Sequence, residues 1–363
     1  MAIDSLHRPS AATDALQFWN LDDDDSLICI DVHPETHDVK TFTFASASGK
    51  HFAFEAGQYF LFEPELEGQT ESRCYSISSS PTRTGVFAMT VKRVPGGRVS
   101  NWLHDTMAPG AKIKARGPLG HFRRPAGDDR KLLLLSGGSG ITPVMSMLRA
   151  LSDRGGKTDV VFMHAARTPA DLVFHDELKL ISRRLKGVRL HLLPETTGDD
   201  PSWCGLTGRI SADYMRLAVP DVSERRVMCC GPAPFMVAAR AIVSGLGVIS
   251  ENYHEESFDA APMEDAETVA PDGHQAQFFQ VAFSKQARMI DVSADQTVLS
   301  CAKKAGIRIP SSCANGVCGT CKSRLLSGAV DMKHSGGIRQ REIDAGLFLP
   351  CCSKPLSDLV VER

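Results

Sequence analysis

Three cysteines crowd into one short stretch of the chain, "SSCANGVCGTCKS", as Cys313, Cys318 and Cys321. Their spacing is C-x4-C-x2-C, and Cys351 and Cys352 follow at a distance in "LPCCSKP". Thiolates so placed hold a metal, close disulfides, or pack as small apolar groups. A two-iron, two-sulfur cluster takes this set, with three ligands from one tight loop and a fourth from farther along. Structural zinc prefers paired C-x2-C units, which the C-x4-C step and the single distant ligand fit poorly. Gly316 and Gly319 lie inside the loop, where a missing Cβ lets backbone N–H groups approach sulfur and admits unusual φ/ψ. The spacing does not choose between Cys351 and Cys352 as the last ligand. The chemistry implied is storage of one electron at a time.

Two other stretches could do chemistry. "RCYSISSSP" offers Arg73, Tyr75 and Ser76 on one extended run. A guanidinium fork suits an anion and an aromatic ring suits a flat ligand, although the same residues also make an ordinary polar strand edge. "LLLLSGGSGITPVMSML" is a strand, a glycine turn and a helix. It is not the G-x-G-x-x-G fingerprint, yet such a turn brings backbone amides to a pyrophosphate. Pro143 suits a first helical turn, where no N–H is needed.

These groups need elements to carry them. From Leu27 onward come short alternating runs broken by turns, "SLICIDV", "VKTFTFAS", "GQYFLFEP", "RCYSISSS", "VFAMTVKRV" and "AKIKARGP", the pattern of an antiparallel barrel or sandwich. At Lys131 the texture changes to strands alternating with helices, which reads as a doubly wound parallel sheet. The stretch 260–276 has no apolar periodicity and reads as a linker. The block 277–363 opens with a hairpin and a helix. The expected division is a flexible lead over 1–26 ending in the solvated run "LDDDDS", a barrel over 27–126, an α/β domain over 127–259, the linker, and a cysteine-rich domain over 277–363.

Composition sets the bounds. A chain of 363 residues suggests two or three domains. The hydrophobic share of 42% and charged share of 23% are those of a soluble globular protein. A formal net charge of −2 gives no overall pull toward nucleic acid or anionic membrane. The opening residues lack a signal-peptide pattern and no window is long and apolar enough to span a membrane. The expectation is a cytoplasmic protein binding neither nucleic acid nor membrane, in which 11 cysteines stay reduced and metal binding accounts for several of them.

The motifs occur in a familiar order. "RCYSISSSP", "GGRVSNWLHD" and "GPLGHF", then "GGSGITP", "CCGPAPFM" and "YHEESFDA", resemble the ferredoxin–NADP reductase family, and the cysteine block resembles the plant-type ferredoxin family. The resemblance covers about 27–363. It implies an antiparallel β-barrel flavin domain, an α/β doubly wound nicotinamide domain and an α+β β-grasp ferredoxin domain. It further implies that Arg73 binds flavin phosphate, Tyr75 packs on the flavin ring and Ser76 lies near its reactive nitrogen. Gly97, Val99 and Ser100 would cradle a pyrophosphate, which favours FAD over FMN; read alone, Ser100 could be a helix N-cap. Gly137, Gly138, Gly140, Ile141, Thr142 and Pro143 would hold the nucleotide, with Cys230, Gly231 and Pro232 beside the nicotinamide. Glu256 and Phe258 would lie near the flavin; without the resemblance, "EES" is a surface run. "L-x-C-x-S" assigns the fourth cluster ligand to Cys351, leaving Cys352 as a buried neighbour.

Arg167, just past the second parallel strand, could select a 2′-phosphate, though relatives with this C-terminal domain favour NADH, so NADPH stays an alternative. The implied cofactors are FAD, a 2Fe-2S cluster and NADH. The arrangement resembles the reductase component of a two-part oxygenase system, above all those serving Rieske-type oxygenases that demethylate quaternary amines such as glycine betaine, or the related hybrid-cluster protein reductases. The implied partner is a terminal oxygenase or another electron-accepting protein. A redox sensor and an electron-transfer subunit of a dehydrogenase are the rival readings. From 277 onward the chain holds 12 Lys plus Arg against 7 Asp plus Glu, which suits an acidic docking face on that partner.

Overall fold

The computed structural model describes residues 16–20, 25–124, 130–155, 158–258 and 277–363, apart from 308, 310–315, 317–318, 320 and 335–336. The barrel is made of β1 (Ser26–Thr36), β2 (Val39–Ser46), β3 (Tyr59–Phe62), the short pair β4 (Glu65–Leu66) and β5 (Gln69–Thr70), β6 (Arg73–Ser76), β7 (Phe87–Lys92) and β8 (Lys112–Leu119), with helix α1 (Arg98–Thr106) before β8. Its main sheet runs β6-β3-β8-β1-β2-β7, and a bridge from Ile77 to Met89 brings its two ends together. Aromatic side chains fill the interior: Phe42, Phe44, Phe52, Phe60, Phe62 and Phe87 are all buried. The rings of Phe60 and Phe87 stack with centroids 4.3 Å apart, a contact that adds to simple burial.

The lead departs from expectation where it is described. Trp19 is 4% exposed and belongs to the barrel core, its ring 5.6 Å from that of Phe52. Asp25, last of the acidic run, is not merely solvated. It accepts hydrogen bonds from Ser46 Oγ at 2.6 Å, Ser48 Oγ at 2.6 Å and the Ser48 backbone N–H at 3.2 Å, closing the β1–β2 ribbon. A mixed, polar segment gives no periodicity from which one buried tryptophan could be foreseen.

The second domain comprises β9 (Leu132–Gly137), α2 (Ile141–Arg154), β10 (Val160–Ala166), α3 (His175–Arg184), β11 (Val188–Pro194), α4 (Ala212–Ala218), β12 (Arg226–Cys230), α5 (Ala233–Gly245) and β13 (Tyr253–Glu256). The strands form one parallel sheet in the order β11-β10-β9-β12-β13. Buried Leu132 and Leu134 belong to one core and Leu133 and Leu135 to another, as alternation on a sheet covered on both faces requires. Arg149 on α2 ties this domain to the barrel: it donates to the Ser78 carbonyl at 2.7 Å, forks onto Glu177 at 2.8 and 2.6 Å, and lies 4.4 Å above the Phe174 ring.

The third domain contains β14 (Phe278–Phe283), β15 (Arg288–Ser293), α6 (Val298–Lys304), β16 (Ser323–Ser327), β17 (Val330–Met332), α7 (Gln340–Asp344), β18 (Leu347–Phe348), β19 (Ser353–Pro355) and β20 (Leu359–Glu362). A sheet in the order β15-β14-β20-β16-β18 packs on α6 around Val281, Phe283, Leu299 and Phe348. β14 runs parallel to β20 and antiparallel to β15. This is the mixed sheet and crossing helix of a β-grasp.

Candidate functional site

The glycine turn after β9 and the end of β12 meet at backbone distance. A Cβ on Gly140 would stand 2.3 Å from the Cys230 carbonyl oxygen and 2.5 Å from the Gly231 nitrogen. One on Gly231 would meet the Phe235 ring at 2.7 Å and the Gly137 nitrogen at 3.1 Å. Only glycine allows this approach, so the two motifs share one site. Gly138, at φ +51, has open space around its Cα, and the turn leads into the amino end of α2. There Ile141, Thr142 and Pro143 are buried, and the Thr142 hydroxyl donates to the Ser139 carbonyl at 2.8 Å. A cavity of about 180 Å³ opens beside Gly137, Gly138, Ala166, Glu195, Pro232 and Phe235. Backbone amides at a helix amino end, with no acidic residue in the first turn, fit a pyrophosphate.

Arg167 also borders this cavity. It is 61% exposed, and its Nη2 lies 2.7 Å from Asp171 and 3.6 Å from Asp38. Both carboxylates therefore already compensate the cation expected to hold a 2′-phosphate. Asp38, Lys92, Asp171 and Glu195 were not foreseen. Glu195 directly follows β11, at the carboxyl edge where parallel sheets bind ligands, and that position was a usable signal. Asp38 and Lys92 come from the barrel, so nothing local in the sequence marked them.

A second cavity, of about 330 Å³, lies against β6 and α1. Arg73, Tyr75, Ser76, Gly97, Val99 and Ser100 all line it, and Phe258 reaches it from the far end of the second domain. Gly97 precedes α1, and a Cβ there would stand 2.6 Å from Ser100 Oγ. Ser100 is not an N-cap: it lies inside α1, donating to the Gly97 carbonyl at 3.3 Å and accepting from the Val94 N–H at 3.2 Å. Its hydroxyl shapes the turn whose amides face the cavity. A fork of donors, an aromatic face and an open helix amino end are the groups a flavin dinucleotide needs. The two cavities adjoin, since Ser139 and Lys92 border both.

Ser76, which lines this cavity, meets Glu256 of the second domain, its hydroxyl donating to Glu256 Oε2 at 3.2 Å. Burial pushes the Glu256 carboxyl up to about 8, against the lowering effect of that hydroxyl. Cys230 pairs with Glu256 across β12 and β13. Burial, then the nearby Glu256 charge, raises its thiol well above the ordinary value, so Cys230 stays a neutral thiol.

In the third domain Cys321 and Cys351 are buried; Cys313 and Cys318 lie outside the described residues. The Gly316 N–H donates to Cys351 Sγ at 3.2 Å, the kind of contact that supports a thiolate ligand. Cys352 instead points its sulfur 3.6 Å from the Leu349 carbonyl. Gly316 and Gly319 have φ of +76° and +69°. A Cβ on Gly316 would meet Cys352 Sγ at 2.7 Å, and one on Gly319 the Gly337 carbonyl at 2.4 Å, so the loop takes only glycine at both places. Among the described residues no cysteine forms a disulfide. The donor set fits an iron–sulfur cluster.

Comparison with known proteins bears on all three domains. Family models match an oxidoreductase FAD-binding domain over residues 27–123, an oxidoreductase NAD-binding domain over 134–241 and a 2Fe-2S iron-sulfur cluster binding domain over 282–356. The chain is 40% identical over 343 residues to the glycine betaine monooxygenase reductase subunit of Pseudomonas aeruginosa, covering 92% of this chain and 94% of that one. The chain belongs to the family of oxygenase reductase subunits. The stachydrine N-demethylase reductase subunit of Rhizobium meliloti is 39% identical over 350 residues, covering 96% and 98%. Among solved structures, phthalate dioxygenase reductase aligns with a TM-score of 0.56 at 25% identity over 93% of this chain and 97% of that one. Like other oxygenase reductases, the protein is an NAD(P)H oxidoreductase with FAD-binding, NAD-binding and 2Fe-2S domains in one chain. Among the described residues no helix is long and apolar enough to cross a membrane.

The raised carboxyl of Glu256 gives a pH test. The folded protein keeps this proton up to about pH 8, whereas the unfolded chain releases it near 4.5. Its contribution to stability is therefore present below pH 4.5 and lost as pH rises toward 8. Glu256→Gln removes that loss. In thermal unfolding scans the variant gains on the wild type progressively as pH rises from 5 to 8, by several times the roughly 2–4 °C that each kcal/mol gives in a domain of 150–250 residues. A constant difference across that range would refute the assignment.

Proposed function

We propose that this reductase takes electrons from NADH in preference to NADPH and delivers them singly to a terminal oxygenase of Rieske non-heme iron type acting on a quaternary amine. The adjoining of the two cavities at Ser139 and Lys92 carries the electron path: a nicotinamide above the glycine turn meets a flavin above β6 without leaving the protein. In the relatives named above the substrates are glycine betaine and stachydrine, both quaternary ammonium carboxylates, and this supports the substrate class of the partner.

When bound, the flavin would supply a two-electron acceptor for the hydride of NADH and a one-electron donor to the cluster, with NAD⁺ and one proton released. The chain's own residues position and protect. In this reading Gly137, Gly138 and Gly140 hold the pyrophosphate by backbone amides, and Arg73 binds flavin phosphate. Tyr75 packs on the ring, Glu256 holds a proton beside Ser76 of the cavity wall, and Phe258 screens the ring from water. Cys313, Cys318, Cys321 and Cys351 hold the cluster. No general base is required for hydride transfer.

Preference for NADH is supported by the state of Arg167. With Asp171 and Asp38 upon it and Glu195 across the cavity, the site offers a 2′-phosphate little net positive charge and a ribose hydroxyl a ready acceptor. The third domain has a broad basic groove beside Cys321, lined by Lys285, Lys303, Lys322, Arg324 and Arg363 against Glu362 alone among acids. This supports an acidic docking face on the oxygenase.

Three measurements test the reading. Anaerobic titration of the purified protein with NADH bleaches flavin and cluster bands present in about equal amounts; absence of flavin, or no bleaching, sinks it. Asp171→Ala frees Arg167 and raises kcat/KM for NADPH relative to NADH by roughly three- to tenfold, the effect of about 1 kcal/mol. An unchanged ratio removes Asp171 from nucleotide selection. Electron transfer to the oxygenase slows as ionic strength rises, because exposed charges more than about 8 Å apart are screened at 0.15 M; a salt-independent rate counts against the basic groove.

A further inference from the structure

One arginine joins the barrel to the third domain, and neither the flavin nor the nucleotide cavity uses it. Arg116, on β8, is 5% exposed. Its Nη2 lies 3.1 Å from Glu63, just past β3 of the same barrel, and its Nη1 lies 3.5 Å from Glu342 on α7. Glu342 is itself held in place: it pairs with Lys322, next to Cys321, and accepts the Arg339 backbone N–H at 2.8 Å. Burial alone would raise the Glu342 carboxyl, yet Lys322, the Arg339 N–H and Arg116 together lower it, so it stays ionised. The same guanidinium lies beside Gly319. An ideal Cβ on Gly319, between Cys318 and Cys321, would stand 3.6 Å from Arg116 Nη2.

The route from the flavin cavity to this arginine is short and made of hydrogen-bonded strands. Cys74, on the flavin strand, pairs with Leu61, and Leu61 pairs with Arg116. Two strand spacings of about 4.8 Å separate the cavity wall from the base of the arginine. Stability is a weak reason for such a residue, because a buried ion pair gains little over apolar packing once desolvation is counted. A fork between two carboxylates does fix a geometry, which apolar contact does not.

We propose that Arg116 is the positioning residue for electron transfer from flavin to cluster. It fastens the third domain to the barrel through Glu342, and it keeps a fixed positive charge beside Gly319. One electron leaves the flavin and one enters the cluster, with no bond made or broken. The added negative charge on the reduced cluster is stabilised by the guanidinium, since the potential of such clusters follows nearby charge. The inference rests on the reductase reading above.

The test separates fastening from charge with Arg116→Met and Glu342→Gln in the full-length holoprotein. Anaerobic stopped-flow resolves flavin reduction by NADH from the later bleaching of the cluster, and a spectroelectrochemical titration gives the cluster potential. In both variants NADH reduces the flavin within about twofold of the wild-type rate, while cluster reduction slows about tenfold or more. The potentials then diverge. Arg116→Met lowers the cluster potential by up to about 59 mV, a tenfold change in a one-electron equilibrium, whereas Glu342→Gln, which removes a negative charge, does not lower it. Unchanged cluster reduction in both variants, or potentials that fall alike in both, would overturn the proposal. If Arg116→Met fails to retain its cofactors, the Glu342→Gln rate and potential decide alone. Failure of NADH to bleach the wild-type flavin would be a failure of the reductase reading itself.

Discussion

The arrangement turns on a place where two backbones touch. At the carboxyl ends of β9 and β12 the carbonyl of Cys230 occupies the space a side chain on Gly140 would need. The turn after β9 is thereby pressed against the "CGP" segment, and the amino end of α2 is aimed at the gap between the domains. Because α2 also carries Arg149 and Ser146, which reach the barrel carbonyls of Ser78 and Ser79 at 2.7 Å each, the same helix that begins beside the first cavity fixes the second domain on the first. Any residue larger than glycine at the contact would move the helix, the docking surface and the cavity together.

Much of this was legible in the sequence. The six barrel runs became β1, β2, β3, β6, β7 and β8, and the strand–helix alternation after Lys131 became a parallel sheet. Each rests on a local period, two for half-buried strands and continuous apolar runs for buried ones, and local periods survive without knowledge of the fold. The candidate site residues came from motifs. The structure gathers Arg73, Tyr75, Ser76, Gly97, Val99, Ser100 and Phe258 around one cavity, and Gly137, Gly138, Arg167 and Pro232 around the next.

What sequence reasoning missed lies in pairings between distant segments. Trp19 is buried by an aromatic cluster whose members lie far along the chain. Arg167 looked like a free cation because its partners Asp171 and Asp38 are visible as partners only once the barrel and the nucleotide domain are set side by side. Glu256 was placed near the flavin only by the family resemblance, since two adjacent acids in a short polar run are otherwise usually solvated; its partner Ser76 stands 180 positions away. Charges are the hardest features to read from a sequence because their environment, rather than their type, sets their behaviour.

The barrel is first along the chain yet stands in the middle of the electron path. It meets the nucleotide domain through Ser76, Ser78 and Ser79, and the third domain through Arg116, which Glu63 holds in place. Contacts made on two sides of one scaffold can change independently. A gene encoding the first two domains alone would keep its hydride-accepting half, since among the described residues the cores of those domains contain none beyond Phe258. Among the described residues the third domain shares no apolar core with that half and meets it in a charged contact. Lineages can therefore exchange, lose or relocate their one-electron carrier without redesigning the flavin chemistry, so long as a few charges on one side of the barrel are kept or replaced.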